Sequence, residues 1–359
     1  MSAIRFYELK VSDVRPETPD CVSVALEVPE TLKANFSFSA GQYLTFRTQL
    51  EGAEVRRSYS ICTCPSENEL RVAIKAVQGG KFSGFANTQL KKGDVLEVMP
   101  PMGNFVSKKL GKNYLAFAAG SGITPLMSIM KQVLESEAES QFTLVYGNKN
   151  RTSIIFREEI EGLKNTYMDR LRIYHVLSRE VMDVPLFNGR IDAAKCEAFC
   201  SSLIDLRQIQ EAFLCGPEEM ILGLRDQLMK MGMPQAAVHL ELFSSPDQPQ
   251  KHHEEWKEAH ATESGPVSQV SITLDGVTFD LELGYNGDNI LDAALAHGAD
   301  LPYACKGGVC STCRAKVTEG SVEMELNYAL EPDEVEKGYV LTCQSHPRSA
   351  RVVVDFDAR

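Results

Sequence analysis

No apolar run in this chain reaches the ~20 residues of a membrane-spanning helix, and the opening Met1-Ser2-Ala3-Ile4-Arg5-Phe6 carries no secretory signal pattern. A cytoplasmic location and no membrane partner follow as expectations. Positive charge is also scarce: 37 Lys and Arg stand against 49 Asp and Glu, a formal net charge of −12. That balance argues against nucleic acid as a partner, because phosphate backbones are held by basic surfaces. The deficit is uneven, with 15 acidic residues against 7 basic ones from Val267 onward. An acidic C-terminal end suits a basic docking surface on a protein partner, with plain solubility as the bland alternative. Internal repeats are missing, and so is an intact G-x-G-x-x-G fingerprint. The ten cysteines make no disulfide framework, since cytosolic thiols stay reduced.

Some of those cysteines are instead spaced for a metal. Cys305, Cys310 and Cys313 fall at C-x4-C-x2-C, and 29 residues separate Cys313 from Cys343. This is the plant-type spacing of a [2Fe–2S] cluster, whose iron and sulfide need soft thiolate ligands. Glycines at 307 and 308 let backbone N–H groups turn toward the sulfurs. Zinc remains the alternative, although structural zinc sites favour two close Cys pairs or a Cys/His mixture, whereas Cys343 stands alone in the strand-like run Tyr339-Val340-Leu341-Thr342-Cys343. Cys21, Cys62, Cys64, Cys196 and Cys200 have no cluster spacing with one another, and Cys196-x3-Cys200 reads as one buried helix face.

In chain order, residues 1–107 read as short strands punctuated by Gly, Pro and Asp, with no helical period over most of the span. Leu70, Val72, Ile74 and Ala76 alternate on one face, and an antiparallel barrel is expected. Over 108–243 strands and helices alternate, which implies a parallel sheet with helices on both faces. Here the strand Tyr114–Ala119 leads into Gly120-Ser121-Gly122, with Thr124 as expected N-cap and Pro125 as first helical residue. A second strand-to-helix turn, Cys215-Gly216-Pro217, would line the same crevice if its strand is adjacent. Residues 244–266, with Ser-Ser-Pro-Asp-Gln-Pro-Gln-Lys-His-His, read as a linker with no face to bury and a solvated His252-His253 pair. From 267 to 359 strands resume, with one helix at Asn289–His297 ahead of the cysteine loop.

Arg57-Ser58-Tyr59-Ser60 combines a cation for phosphate, a ring for stacking and hydroxyls for hydrogen bonds, although as residues alone it is merely a polar strand. With Gly120-Ser-Gly-Ile-Thr-Pro125, Cys215-Gly-Pro217 and the cysteine loop, it resembles the ferredoxin–NADP reductase superfamily carrying a fused plant-type ferredoxin domain. The order of parts is similar to that in reductase components of bacterial oxygenases. The resemblance implies an antiparallel β-barrel for FAD, an α/β parallel-sheet domain for NADP and an α+β ferredoxin-like (β-grasp) [2Fe–2S] domain. It also implies roles. Arg57 would meet the FAD pyrophosphate, and Ser58, Tyr59 and Ser60 the flavin. Lys75 and the turn Gly80-Lys81-Phe82-Ser83 would hold the rest of FAD, and Thr124 would approach the ring. Gly120, Gly122, Gly216 and Pro217 would shape the nucleotide crevice. Ser60, Cys215 and Glu241 would form the catalytic group, with Phe243 against the flavin, although the chain continues past Phe243 where the family ends. Ser178-Arg179, helped by Arg151, would grip the 2′-phosphate of NADPH in preference to NADH; a guanidinium suits phosphate, where an NAD site places a carboxylate on the ribose. Cys305, Cys310, Cys313 and Cys343 would hold the cluster. The implied acceptor is a multisubunit di-iron oxygenase that epoxidises the ring of phenylacetyl-CoA. A reductase for another oxygenase, and a non-catalytic iron–sulfur carrier, remain as rival readings.

Overall fold

A computed structural model describes residues 5–107, 113–243, 253–254, 256, 258 and 265–358. The chain divides into two compact units, one of them made of Phe6–Val55 with Tyr59–Phe243 and the other of the C-terminal part from Ser244 onward with Arg56–Ser58. The expected boundaries after residues 107 and 243 fall beside stretches outside the described residues.

Six strands build the first half of the N-terminal unit: β1 (Tyr7–Thr18), β2 (Cys21–Glu27), β3 (Tyr43–Leu50), β4 (Ala53–Ser60), β5 (Leu70–Lys75) and β6 (Val95–Val98). Their order is β4-β3-β6-β1-β2-β5, and an antiparallel bridge from Ile61 to Val72 joins the two edges. Alternating residues such as Leu9, Val11, Val24, Phe46, Val72 and Ile74 fill the interior. The expected face of β5 is buried, but so are Arg71 and Ala73 on its other side. Arg71 is tolerated there because its guanidinium bonds Glu69, Asp13 and Ser23. One correction concerns Lys81–Thr88, which forms a helix, α1, where only a turn was expected. Its buried positions are few (Phe82, Ser83 and Ala86), so the helical period is too short to stand out.

The second half is a five-stranded parallel sheet of β7 (Asn113–Ala119), β8 (Gln141–Asn148), β9 (Leu171–Leu177), β10 (Glu211–Gly216) and β11 (Val238–Leu242), in the order β11-β10-β7-β8-β9. Helices α2 (Ile123–Ser136), α3 (Arg157–Thr166), α4 (Ala193–Ser202) and α5 (Glu218–Lys230) link the strands. Strand order reverses between β7 and β10, and ligands of such sheets bind at the carboxyl ends beside that reversal. Barrel and sheet share one core, in which Cys21, Cys62, Ala73 and Phe105 pack with Ile123, Leu126, Ile129 and Met130 of α2. Ser128 of α2 donates to the Thr63 carbonyl at 2.6 Å, which fixes the helix against the barrel. Thr124 is not the N-cap: Gly122 occupies that place, and the Thr124 hydroxyl donates back to Ser121 O at 3.0 Å. The one-turn helix Gly120–Gly122 runs straight into α2 and shifts its start forward.

The C-terminal unit is a mixed sheet ordered β13-β12-β18-β14-β16, made of β12 (Val267–Leu274), β13 (Val277–Gly284), β14 (Arg314–Glu319), β16 (Tyr339–Leu341) and β18 (Arg351–Asp355). A ribbon of β15 (Val322–Met324) and β17 (Ser345–Pro347) lies apart from that sheet. Asp275 and Gly276, both at positive φ, make the tight β12–β13 turn that such a dipeptide favours. Helix α6 (Ile290–Ala296) is capped by the Asn289 side chain and packs on Val270, Ile272, Leu281 and Val352. Cys343 lies in a one-turn helix, Thr342–Gln344, rather than in the expected strand. The linker also departs from expectation. His253 bonds Glu325 at 2.8 Å, Glu325 bonds the buried His346 at 2.6 Å, and Trp256 stacks on His346 with ring centroids 3.7 Å apart. His252 lies outside the described residues.

Candidate functional site

At the reversal point the two glycine turns meet backbone to backbone. β7 and β10 pair in parallel through Phe117–Leu214 and Ala118–Cys215. A Cβ on Gly122 would lie 2.1 Å from the Cys215 carbonyl oxygen, so only glycine allows this approach. Gly216 is nearly as confined, its Cβ position being 3.1 Å from that of Ala119, and Pro217 N-caps α5. The Tyr146 hydroxyl donates to Gly120 O at 2.9 Å and steadies the first turn.

Three side chains from three strands converge there. Ser60, at the end of β4, donates to Glu241 Oε2 at 2.9 Å, and the Cys215 thiol is 3.9 Å from the same oxygen. Ser60 and Cys215 are buried. Burial pushes Glu241 up to about 8, against the Ser60 and Cys215 hydrogen bonds that favour its charged form. Burial and the neighbouring Glu241 push the Cys215 thiol well above its ordinary value, so it stays neutral and is no thiolate nucleophile. The group can therefore hold a proton at neutral pH while carrying little charge. Phe243 follows directly after β11 and is 38% exposed.

The residues expected around FAD divide into two sets. Arg57 and Ser58 lie in β4 just before Tyr59, whose ring packs 5.5 Å from Phe82 and 6.0 Å from Phe46. Lys75 reaches the nucleotide turn, since a Cβ on Gly120 would lie 3.9 Å from its ammonium nitrogen. The 80–83 segment is more occupied by its own fold. Lys81 pairs with Glu51 at 3.1 Å, and the ring of Phe82 is buried. Ser83 bonds Gly80 O and Val77 N, each at 3.2 Å. Gly80 itself N-caps α1, which leaves backbone N–H groups of the first turn for an anion. The ring of Tyr59 and the glycine-led start of α1 offer a stacking face and backbone donors of the kind a flavin nucleotide requires.

Arg151 follows β8, and Ser178-Arg179 follow the adjacent β9. The ladder continues past both strands, with Ser178 N bonding Asn148 O at 2.9 Å and Arg179 N bonding Lys149 O at 2.7 Å. Glu180, which the sequence did not single out, pairs with Arg151 Nε at 2.9 Å. The only sequence signal for it was an acid next to an arginine expected to bind phosphate.

In the C-terminal unit the four cysteine sulfurs come together. Cys305 shares a thiol hydrogen bond with Cys310, and Cys313 shares one with Cys343. Those bonds, with burial, push Cys305 and Cys343 up, while Cys310 is pulled down as the proton is shared. Positive φ at Lys306, Gly308 and Ser311 curls the loop inward. Gly307 N–H then points at Cys305 Sγ at 3.3 Å, a donor-to-sulfur contact suited to iron–sulfur ligation. Gln344, also unforeseen, ties Lys306 O at 3.0 Å to Cys343 O at 2.7 Å. Its only signal was its place beside the lone fourth cysteine.

Three family models match the chain. They are an oxidoreductase FAD-binding domain over residues 8–106, an oxidoreductase NAD-binding domain over 117–226, and a 2Fe-2S iron-sulfur cluster binding domain over 272–348. The last decides the metal in favour of iron–sulfur over zinc. The chain is 44% identical to a subunit of the 1,2-phenylacetyl-CoA epoxidase from Escherichia coli (strain K12), across 99% of this chain and 98% of that one. It is 34% identical to the ferredoxin reductase component of 3-ketosteroid-9-alpha-monooxygenase from Rhodococcus rhodochrous, covering 97% and 96% of the two chains. Among solved structures, phthalate dioxygenase reductase matches 98% of each chain at 24% identity with a TM-score of 0.58. A self-sufficient cytochrome P450 monooxygenase matches 97% of this chain and 41% of its own at 21% identity, with a TM-score of 0.70. Both likenesses concern the fold.

Proposed function

This chain belongs to the three-domain FAD-, NAD- and [2Fe–2S]-binding reductase components of oxygenases, and on that premise we propose that it moves electrons from NADPH to a multisubunit di-iron oxygenase acting on phenylacetyl-CoA. The observation that carries the reading is the meeting of Ser60, Cys215 and Glu241 beside two glycine turns at the reversal of a parallel sheet. FAD supplies the conversion from a two-electron donor to the one-electron cluster.

The chain's own residues do the rest. Arg57 and the start of α1 balance phosphate charge, and Tyr59 offers a ring face. Gly122 and Gly216 let the nucleotide come close to backbone N–H groups. Ser60 and neutral Cys215, both buried, orient the reacting rings, and Glu241 holds a proton at its carboxyl. Arg179 and Ser178 take the 2′-phosphate. Cys305, Cys310, Cys313 and Cys343 ligate iron, with Gly307 N–H and the Gln344 amide tuning the sulfurs. Among the described residues no helix is long and apolar enough to cross a membrane. Four thiols that must stay reduced favour a cytoplasmic setting.

The specific acceptor rests on the 44% relative, and the 34% relative gives the second reading, a steroid-type monooxygenase partner. Purified protein with NADPH, dioxygen, phenylacetyl-CoA and a di-iron epoxidase component should consume NADPH and form the epoxide, the second oxygen atom leaving as water. Turnover only with a ring-hydroxylating or steroid oxygenase would replace the first reading by the second.

A further inference from the structure

The carboxyl ends of β8 and β9 carry one acid among the residues expected to read the far end of the nucleotide. Glu180 holds Arg151 in two ways: Oε1 takes the side-chain Nε–H at 2.9 Å, and Oε2 takes the backbone N–H at 2.9 Å. Arg179, next in sequence, is exposed and has no ion partner among the described residues. One of the two arginines is thus already neutralised by an acid placed where the 2′ substituent of the adenosine ribose would arrive.

We propose that Glu180 is a specificity-determining residue that restrains the preference for NADPH and keeps NADH acceptable. This rests on the nucleotide-site reading given above. A 2′-phosphate brings extra negative charge beside the Glu180 carboxylate and must draw Arg151 away from it. A 2′-hydroxyl brings none, and it can donate to that carboxylate as it does in NAD sites built on an acid. The Arg151 side chain is 60% exposed and the Glu180 side chain 33%, so the pair exchanges readily and biases the choice without blocking either nucleotide.

Glu180→Gln keeps the size and the capping of Arg151 N–H but removes the charge. In the holoenzyme it should raise the kcat/KM ratio of NADPH over NADH by about three- to tenfold, the change residing in KM. Arg179→Ala, measured beside it, should lower the same ratio. A ratio unmoved by Glu180→Gln but lowered by Arg179→Ala overturns the inference and leaves the nucleotide site standing. A ratio unmoved by both overturns the site reading as well.

Discussion

Glu241 is the residue to which we assign the proton of the crevice, because burial raises its carboxyl toward neutral pH. Its value in the folded protein rises from an ordinary 4.5 to about 8. The protonated carboxyl is therefore the favoured form between those values. The stability it contributes is complete below 4.5 and is lost as pH rises through about 8. Flavin reduction by NADPH should accordingly show a break near pH 8, and Glu241→Gln should abolish it; a break that survives the substitution would assign it to another group. Sequence resemblance supplied Ser60, Cys215 and Glu241 as a set, yet nothing in the residues alone gave the shared oxygen, since Ser60 lies 181 residues from Glu241 and only the parallel register of β10 with β11 sets Cys215 beside it. Glu180 and Gln344 were missed for a plainer reason. Each is an ordinary polar residue whose meaning is its partner, Arg151 in one case and the cysteine loop in the other.

At the level of elements, the crevice depends on two turns touching through backbone. Gly122→Ala would drive a Cβ into the Cys215 carbonyl, and neither turn can yield without moving the other. It should cost about 1–3 kcal/mol in stability and slow flavin reduction by displacing Cys215. Gly223, inside α5 with open space at its Cβ, gives the contrast. Gly223→Ala should stabilise by about 0.5–1 kcal/mol with the rate unchanged. Thermal unfolding and stopped-flow absorbance read both, and equal effects would deny the close approach. The alternation of strands and helices over 113–243 was legible because short apolar runs, buried on both faces in β7 and β10, alternate with longer helices such as α5, whose Met220, Ile221, Leu224 and Leu228 share one buried face. Helix α1 was not, and the Thr124 cap was misplaced because the one-turn helix before α2 has no sequence period of its own. The linker looked faceless because His253 and Trp256 meet Glu325 and His346, about 70 and 90 positions further on, beyond the reach of any local pattern.

Across the whole molecule, the order FAD part, NAD part and [2Fe–2S] part was legible from a few motifs whose spacing is fixed by cofactor geometry. The plant-type cysteine spacing is the strongest of them, since thiolates must close on one cluster whatever the surrounding sequence. What stayed hidden was that barrel and sheet share a single core. Cys62, Ala73 and Ile129 read as ordinary interior residues of separate parts until they are seen packed together. In the proposed function the cluster is the exit for electrons that enter at the crevice. Anaerobic stopped-flow reduction of Cys305→Ser by NADPH, followed by oxygenase-coupled turnover, tests that order most directly. Flavin reduction should keep its wild-type rate while electron delivery to the oxygenase disappears. Loss of flavin reduction itself, or oxygenase turnover undiminished by the substitution, would contradict it.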